Sequence, residues 1–124
     1  DVSIQAQIVN LFLDIKEKTQ ISMLFVYDDL NIVHFISDEI IVMYKGKVVE
    51  SGLKNEVFYK PLHPYTKMLI ESIGSELAER AGDDTGTPNN GCAYYPRCER
   101  KIERCSSNKP LLTGDKEHSV ACFI

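Results

Sequence analysis

Four cysteines, Cys92, Cys98, Cys105 and Cys122, lie in the last third of the chain and nowhere else. Thiolates are nucleophiles, redox partners and soft metal ligands. Four of them suffice for one metal ion, one iron–sulfur cluster or two disulfides. They fall in the runs GCAYYPRCERKIERC and HSVAC, with five, six and sixteen residues between successive cysteines. A zinc site usually contains two cysteines separated by two to four residues, and this chain has no such knuckle. The wider spacing suits a larger inorganic body approached from several sides. The plain alternative is four unrelated buried small hydrophobes, against which stands the clustering itself. His118, four residues before Cys122, would be able to complete a Cys3His zinc site or to stand outside the ligand set as a supporting or surface histidine. His63, between prolines at a helix start, reads as a positioning residue, and His34 as a surface or half-buried one.

The chain has 124 residues, of which 44% are hydrophobic, enough for one modest domain. The net charge of −4 excludes nucleic acid as the default partner, because nothing neutralises the phosphates. No apolar run reaches the roughly 18 residues that a membrane span requires. No basic segment followed by an apolar one marks a secretory signal. The expectation is a cytosolic chain with reduced thiols, which favours metal over disulfide.

The cysteines must be positioned by what precedes them. Residues 3–19 carry Ile4, Ile8, Leu11, Phe12 and Ile15 at helical spacing, with Ser3 as candidate N-cap and Lys16 and Lys18 in the last turn. The run 22–27 (SMLFVY) reads as a strand covered on both faces, as in a parallel sheet. Residues 29–36 read as a short helix capped by Asp28 or Asp29. Residues 39–44 and 47–51 read as a hairpin about Lys45-Gly46, with Gly52 ending its second strand. Two further helices are expected over 54–60 and from Pro64 to about Ser72. From Gly74 to Gly91 the chain is polar and rich in Gly, Asp, Thr and Asn, a linker composition. The fold class is therefore α/β in the order helix–strand–helix–strand–hairpin–helices, followed by a small cysteine-rich module. The divisions are 1–73, a linker over 74–91, and 92–124. So little sheet implies partner strands upstream of Asp1. The run Met23–Val26 would then have an open ladder edge, and the chain alone is expected to self-associate.

The order of segments from Asp1 to Ile73 resembles the C-terminal half of an ABC-transporter nucleotide-binding domain, of the kind found in the ATP-binding subunits of oligopeptide, dipeptide and nickel importers. Asp1-Val2-Ser3 resembles the D-loop, and Leu24-Phe25-Val26 the strand entering the switch loop. Ser37-Asp38 through Tyr44, followed by Gly46-Lys47-Val48-Val49-Glu50, is similar to the strand and hairpin beyond it. Pro61-Leu62-His63-Pro64-Tyr65-Thr66 is similar to a signature of the peptide branch. Gly91-Cys92, Pro96-Arg97-Cys98, Cys105 and His118-Ser119-Val120-Ala121-Cys122 match the family's C-terminal extension. Singly these matches are unspecific; together, in order and at the family's intervals, they are specific.

The resemblance implies an intact subunit that binds ATP with Mg2+ and pairs with a second ATP-binding subunit. Such a subunit drives uptake through membrane-spanning permease subunits at the inner face of the cell membrane. It also implies a four-iron four-sulfur cluster on the four cysteines, with zinc second and disulfides third. Asp1, Asp28 and Asp29 would fall at the nucleotide and dimer interface. Two departures matter. The phosphate-cradling loop (GxxxxGK[ST]), the signature loop and the Walker B carboxylates are missing, so this chain alone is expected not to hydrolyse ATP. The family's switch-loop histidine aligns with Asp28, and an ionised carboxylate repels a γ-phosphate and cannot donate to it. The rival expectation is a stand-alone structural or regulatory metal-binding module without ATPase activity. A third is an iron–sulfur redox or iron-sensing element that tunes transport.

Overall fold

A computed structural model describes residues 2–74 and 90–124. Asp1 and most of the expected linker lie outside the described residues. The chain divides into two compact units, residues 1–37 and 38–124.

In the first unit, α1 (Val2–Thr19) already contains Ser3, which therefore does not cap it, and carries Lys16 and Lys18 in its last turn. It stops at Gln20, whose φ of 56° turns the chain out of the helix while its N–H still bonds Lys16 O at 2.9 Å. The second helix, α2 (Leu30–Ile36), is capped by Asp29, whose Oδ1 accepts from Asn31 N at 2.9 Å and Ile32 N at 3.4 Å. Between them the expected strand at 22–27 does not form. A strand exists only as part of a ladder, and among the described residues no strand pairs with this run. It is held by side chains instead. Phe25 packs edge-on against Phe12 with ring centres 5.1 Å apart, and Gln5 Nε2 donates to Tyr27 Oη at 2.9 Å. Leu24 and Val26 point away and are 86% and 92% exposed. The ladder edge expected at Met23–Val26 is thus absent, and what the run presents is apolar side chain.

The second unit is built on a hairpin, β1 (Glu39–Tyr44) and β2 (Lys47–Leu53), paired antiparallel. Lys45 and Gly46 both have positive φ, 47° and 74°, as a two-residue turn matched to strand twist demands. β1 alternates regularly, with Ile40, Val42 and Tyr44 inward. β2 does not. Its register shifts between the Val42↔Glu50 and Met43↔Val48 pairs, leaving Val49 as an extra residue, and consecutive Val49 and Glu50 are both buried. A bulge of this kind re-aims the side chains that follow it.

The sheet is completed from far along the chain. The order is β1-β2-β4-β3, with β3 spanning Thr113–Gly114 and β4 spanning His118–Val120. Every described pairing is antiparallel, so the parallel sheet implied by the expected first strand is corrected. Gly52 does not end β2, which continues to Leu53. Its missing side chain lets β4 approach instead: a Cβ there would collide with Glu117 O and His118 Cα. The next N–H, of Leu53, bonds Glu117 O at 2.8 Å. Between the strands stand α3 (Lys54–Tyr59) and α4 (Pro64–Glu71), close to expectation.

Because the obstruction at Gly52 is backbone and cannot swing aside, Gly52→Ala is expected to cost about 1–3 kcal/mol, the range for overpacking a close contact. A urea melt reads this directly, and an unchanged midpoint would contradict the packing of β4 against Gly52.

Candidate functional site

The cysteines reach their places along three short segments. Cys92 precedes a 3-10 turn, Tyr95–Arg97, that ends at Cys98. Cys105 sits buried in the one-turn helix α5 (Arg104–Ser107). Cys122 follows β4. Cys92 N donates to Cys105 O at 2.8 Å, tying the first and third cysteines by their backbones. Arg104, just before Cys105, lays its guanidinium 4.2 Å from the ring centre of Phe123, just after Cys122. The third and fourth cysteines are thereby flanked by one cation–π contact.

All four thiols are free. Burial pushes the Cys92 thiol above its ordinary value; the Tyr94 backbone N–H pulls it back, and the thiols of Cys105, Cys98 and Cys122 push it up again. Cys98 follows the same pattern, raised by burial, lowered by the Arg100 backbone N–H and raised by Cys122 and Cys105. Cys92 and Cys98 therefore each lie within electrostatic reach of the other three cysteines, and each faces an N–H two residues ahead. Such N–H groups stabilise thiolates and tune the groups they ligate. Among the described residues no three His, Cys, Asp or Glu side chains are set to hold a single metal ion.

The cysteine segments rest on an aromatic cluster. Tyr94, 5% exposed, packs against Tyr44 of β1 and Tyr65 of α4 with ring centres 5.1 and 5.5 Å apart, and lies 5.7 Å from the His63 ring. Sequence reasoning gave these tyrosines no role.

It also missed Glu50. This carboxylate is fully buried, aimed inward by the bulge in β2. Oε1 accepts from Leu62 N at 2.8 Å and Oε2 from His63 N at 2.9 Å, both in the loop entering α4. His118 Nε2 of β4 lies 2.6 Å from Oε1. A buried charge survives only with such partners. The one available signal was that Glu50 interrupts an apolar strand.

His63 bears out its positional reading. It is 1% exposed and caps α4, its Nδ1 accepting from Tyr65 N at 3.0 Å. His118 stands on Glu50, so its Nε2 is engaged there. His34 is half-buried on α2. Asp28 and Asp29 lie in the first unit, both exposed; Asp29 is the helix cap already described. Asp1 is outside the described residues. No described helix is long and apolar enough to cross a membrane.

Residues 49–105 match the family described as oligopeptide/dipeptide transporter, C-terminal region. The chain is 36% identical, over 99% of its length, to 41% of the dipeptide transport ATP-binding protein DppF of Haemophilus influenzae. It is 37% identical, over 99% of its length, to 40% of the oligopeptide transport ATP-binding protein OppF of Escherichia coli. It is 38% identical, over all of its length, to 40% of the dipeptide transport ATP-binding protein DppD of Bacillus subtilis. The chain spans about two fifths of the length of these relatives. A stand-alone metal-binding module is not favoured, because the similarity runs through α1–α4 as well as the cysteines.

Burial holds His63 neutral, lowering its pKa from 6.5 to about 4, with the nearby Glu50 charge pulling upward. Between these two values an unfolded chain binds a proton at this residue that the folded chain refuses, so stability falls as pH drops through the window. Urea midpoints are expected to decline from pH 6.5 toward 4. His63→Asn keeps a capping acceptor and should remove part of that slope. Parallel slopes for the two proteins would contradict a neutral, buried His63.

Proposed function

We propose that this chain, whose residues 49–105 match the oligopeptide/dipeptide transporter C-terminal region, is the C-terminal part of the ATP-binding subunit of a peptide-type ABC importer. The observation that carries this reading is similarity along practically the whole chain to proteins named for dipeptide and oligopeptide transport. The intact subunit binds MgATP through segments that this sequence does not contain, pairs with a second ATP-binding subunit and works on permease subunits at the cytoplasmic face of the membrane. Peptides take precedence over nickel as cargo, since the relatives carry peptide names.

Within that subunit Asp28 stands where the family has a histidine facing the γ-phosphate, with Asp29 after it and Asp1 at the D-loop. An ionised Asp28 offers no donor to a phosphate. Its chain neighbour Asp29 anchors α2, so Asp28 is held at the entrance to a capped helix.

The cysteines form the second element of the proposal. Cys92, Cys98, Cys105 and Cys122 would hold a four-iron four-sulfur cluster, with zinc as the alternative. Supporting this are four free thiols, of which Cys92 and Cys98 each lie within reach of the other three, and backbone N–H groups directed at those two. The wide spacing of the cysteines favours the larger body. When bound, the cluster cross-links its four ligands and supplies one-electron redox capacity. The chain's own contribution is to bring the thiols together and shield Cys105.

The test of the subunit reading is MgATP binding by the full-length subunit; binding is expected, and a folded full-length protein that binds none would overturn it. For the cysteines, anaerobically purified protein is expected to carry about four irons per chain. Zinc alone, at one per chain, would overturn the cluster.

A further inference from the structure

We propose that Glu50 is a positioning residue for the cysteine site: through His118 its buried carboxylate seats β4 and so fixes Cys122 against Cys92, Cys98 and Cys105. The inference rests on the reading that the four cysteines act as one ligand set. The first three cysteines need little help to meet. They lie within fourteen consecutive residues, and Cys92 and Cys105 are joined by a backbone hydrogen bond. Cys122 arrives separately, seventeen residues after Cys105, and its place is set by the strand before it.

That strand is only His118–Val120, too short to hold its register by ladder bonds alone. Two side chains anchor it to β2: Ser119 Oγ donates to Ser51 O at 3.3 Å, and His118 makes the shorter contact, to a charged partner. In the register His118 faces Gly52, and Glu50 lies two residues along β2 on the same face, so the imidazole reaches diagonally to the carboxylate. The missing Cβ at Gly52 lets the backbone of Glu117 and His118 close up against β2. From that anchor the chain runs on through Ala121, whose N–H bonds Val49 O at 2.8 Å, to Cys122. Glu50 is in turn fixed by the amides of Leu62 and His63, so it cannot follow a tail that drifts. The carboxylate therefore transmits the position of the loop entering α4 to the fourth cysteine.

The test uses the full-length subunit, prepared metal-free, in three forms: wild type, His118→Phe and His118→Gln. Phe fills the space without donating, while Gln restores a donor. Two readouts are taken: the alkylation rate of each cysteine with iodoacetamide, resolved by mass spectrometry, and hydrogen exchange over residues 113–124. In His118→Phe the Cys122 rate is expected to rise by about tenfold or more, as local opening loses a charge-assisted bond that opposed it. Exchange should quicken at Ala121, while Cys92 and Cys105 stay unchanged and His118→Gln returns toward wild type. A rise shared equally by all four cysteines, or none at Cys122, would overturn the proposal. Iron loading of the wild type is measured separately. Selective release of Cys122 in a protein that takes up no iron sustains the positioning role and sinks the cluster; iron uptake with no selective release does the reverse.

Discussion

One buried carboxylate organises the second unit. Glu50 has no exposure, and a carboxylate taken out of water must find donors or lose its charge. Its donors come from two backbone amides at the start of α4 and one imidazole near the end of the chain. Each surrounding peculiarity serves that arrangement. The bulge at Val49 turns Glu50 inward, Gly52 clears the approach of β4, and the Pro-flanked loop presents consecutive N–H groups to one side. The arrangement also keeps His63 neutral by burying it, so that its ring nitrogen is free to cap α4.

A second layer of contacts joins this hub to the cysteines. Tyr94 stands between Cys92 and Cys98 and inserts among Tyr44, Tyr65 and His63. Aromatic rings packed at these angles contribute beyond the area they bury. The cysteine segments are therefore fastened twice, through Tyr94 at one end and through β4 at the other. This makes the loop entering α4 and the cysteine-bearing segments parts of one mechanical piece.

Much of the fold was legible in the chain. Lys45-Gly46 announced its hairpin because only a turn with positive φ matches two adjacent twisted strands. Pro64 announced α4 because proline's missing N–H costs nothing at a helix start. Asp29 was readable as a cap. The run 22–27 was misread because a continuous apolar pattern reports burial only when partner strands are there to cover it. β3 and β4 were not readable at all: three residues carry no periodicity, and their pairing with β2 is set by contacts remote in sequence. Of the candidate site, the cysteines and the positional role of His63 were visible. Glu50 was not, since a lone glutamate in a strand normally marks its solvent face, and only the bulge reverses that.

The separation between Glu50 and His118 has a temporal consequence. They are 68 positions apart. A growing chain exposes Glu50, with the hairpin and both following helices, well before its imidazole partner has been synthesised. During that interval the carboxylate is hydrated and the inner edge of β2 stands open. The sheet closes in a late step, after a large loop has been drawn together. Arrival of the last cysteine segment is thereby ordered: Cys122 takes its place after β4 only when the hairpin made long before is ready to receive that strand.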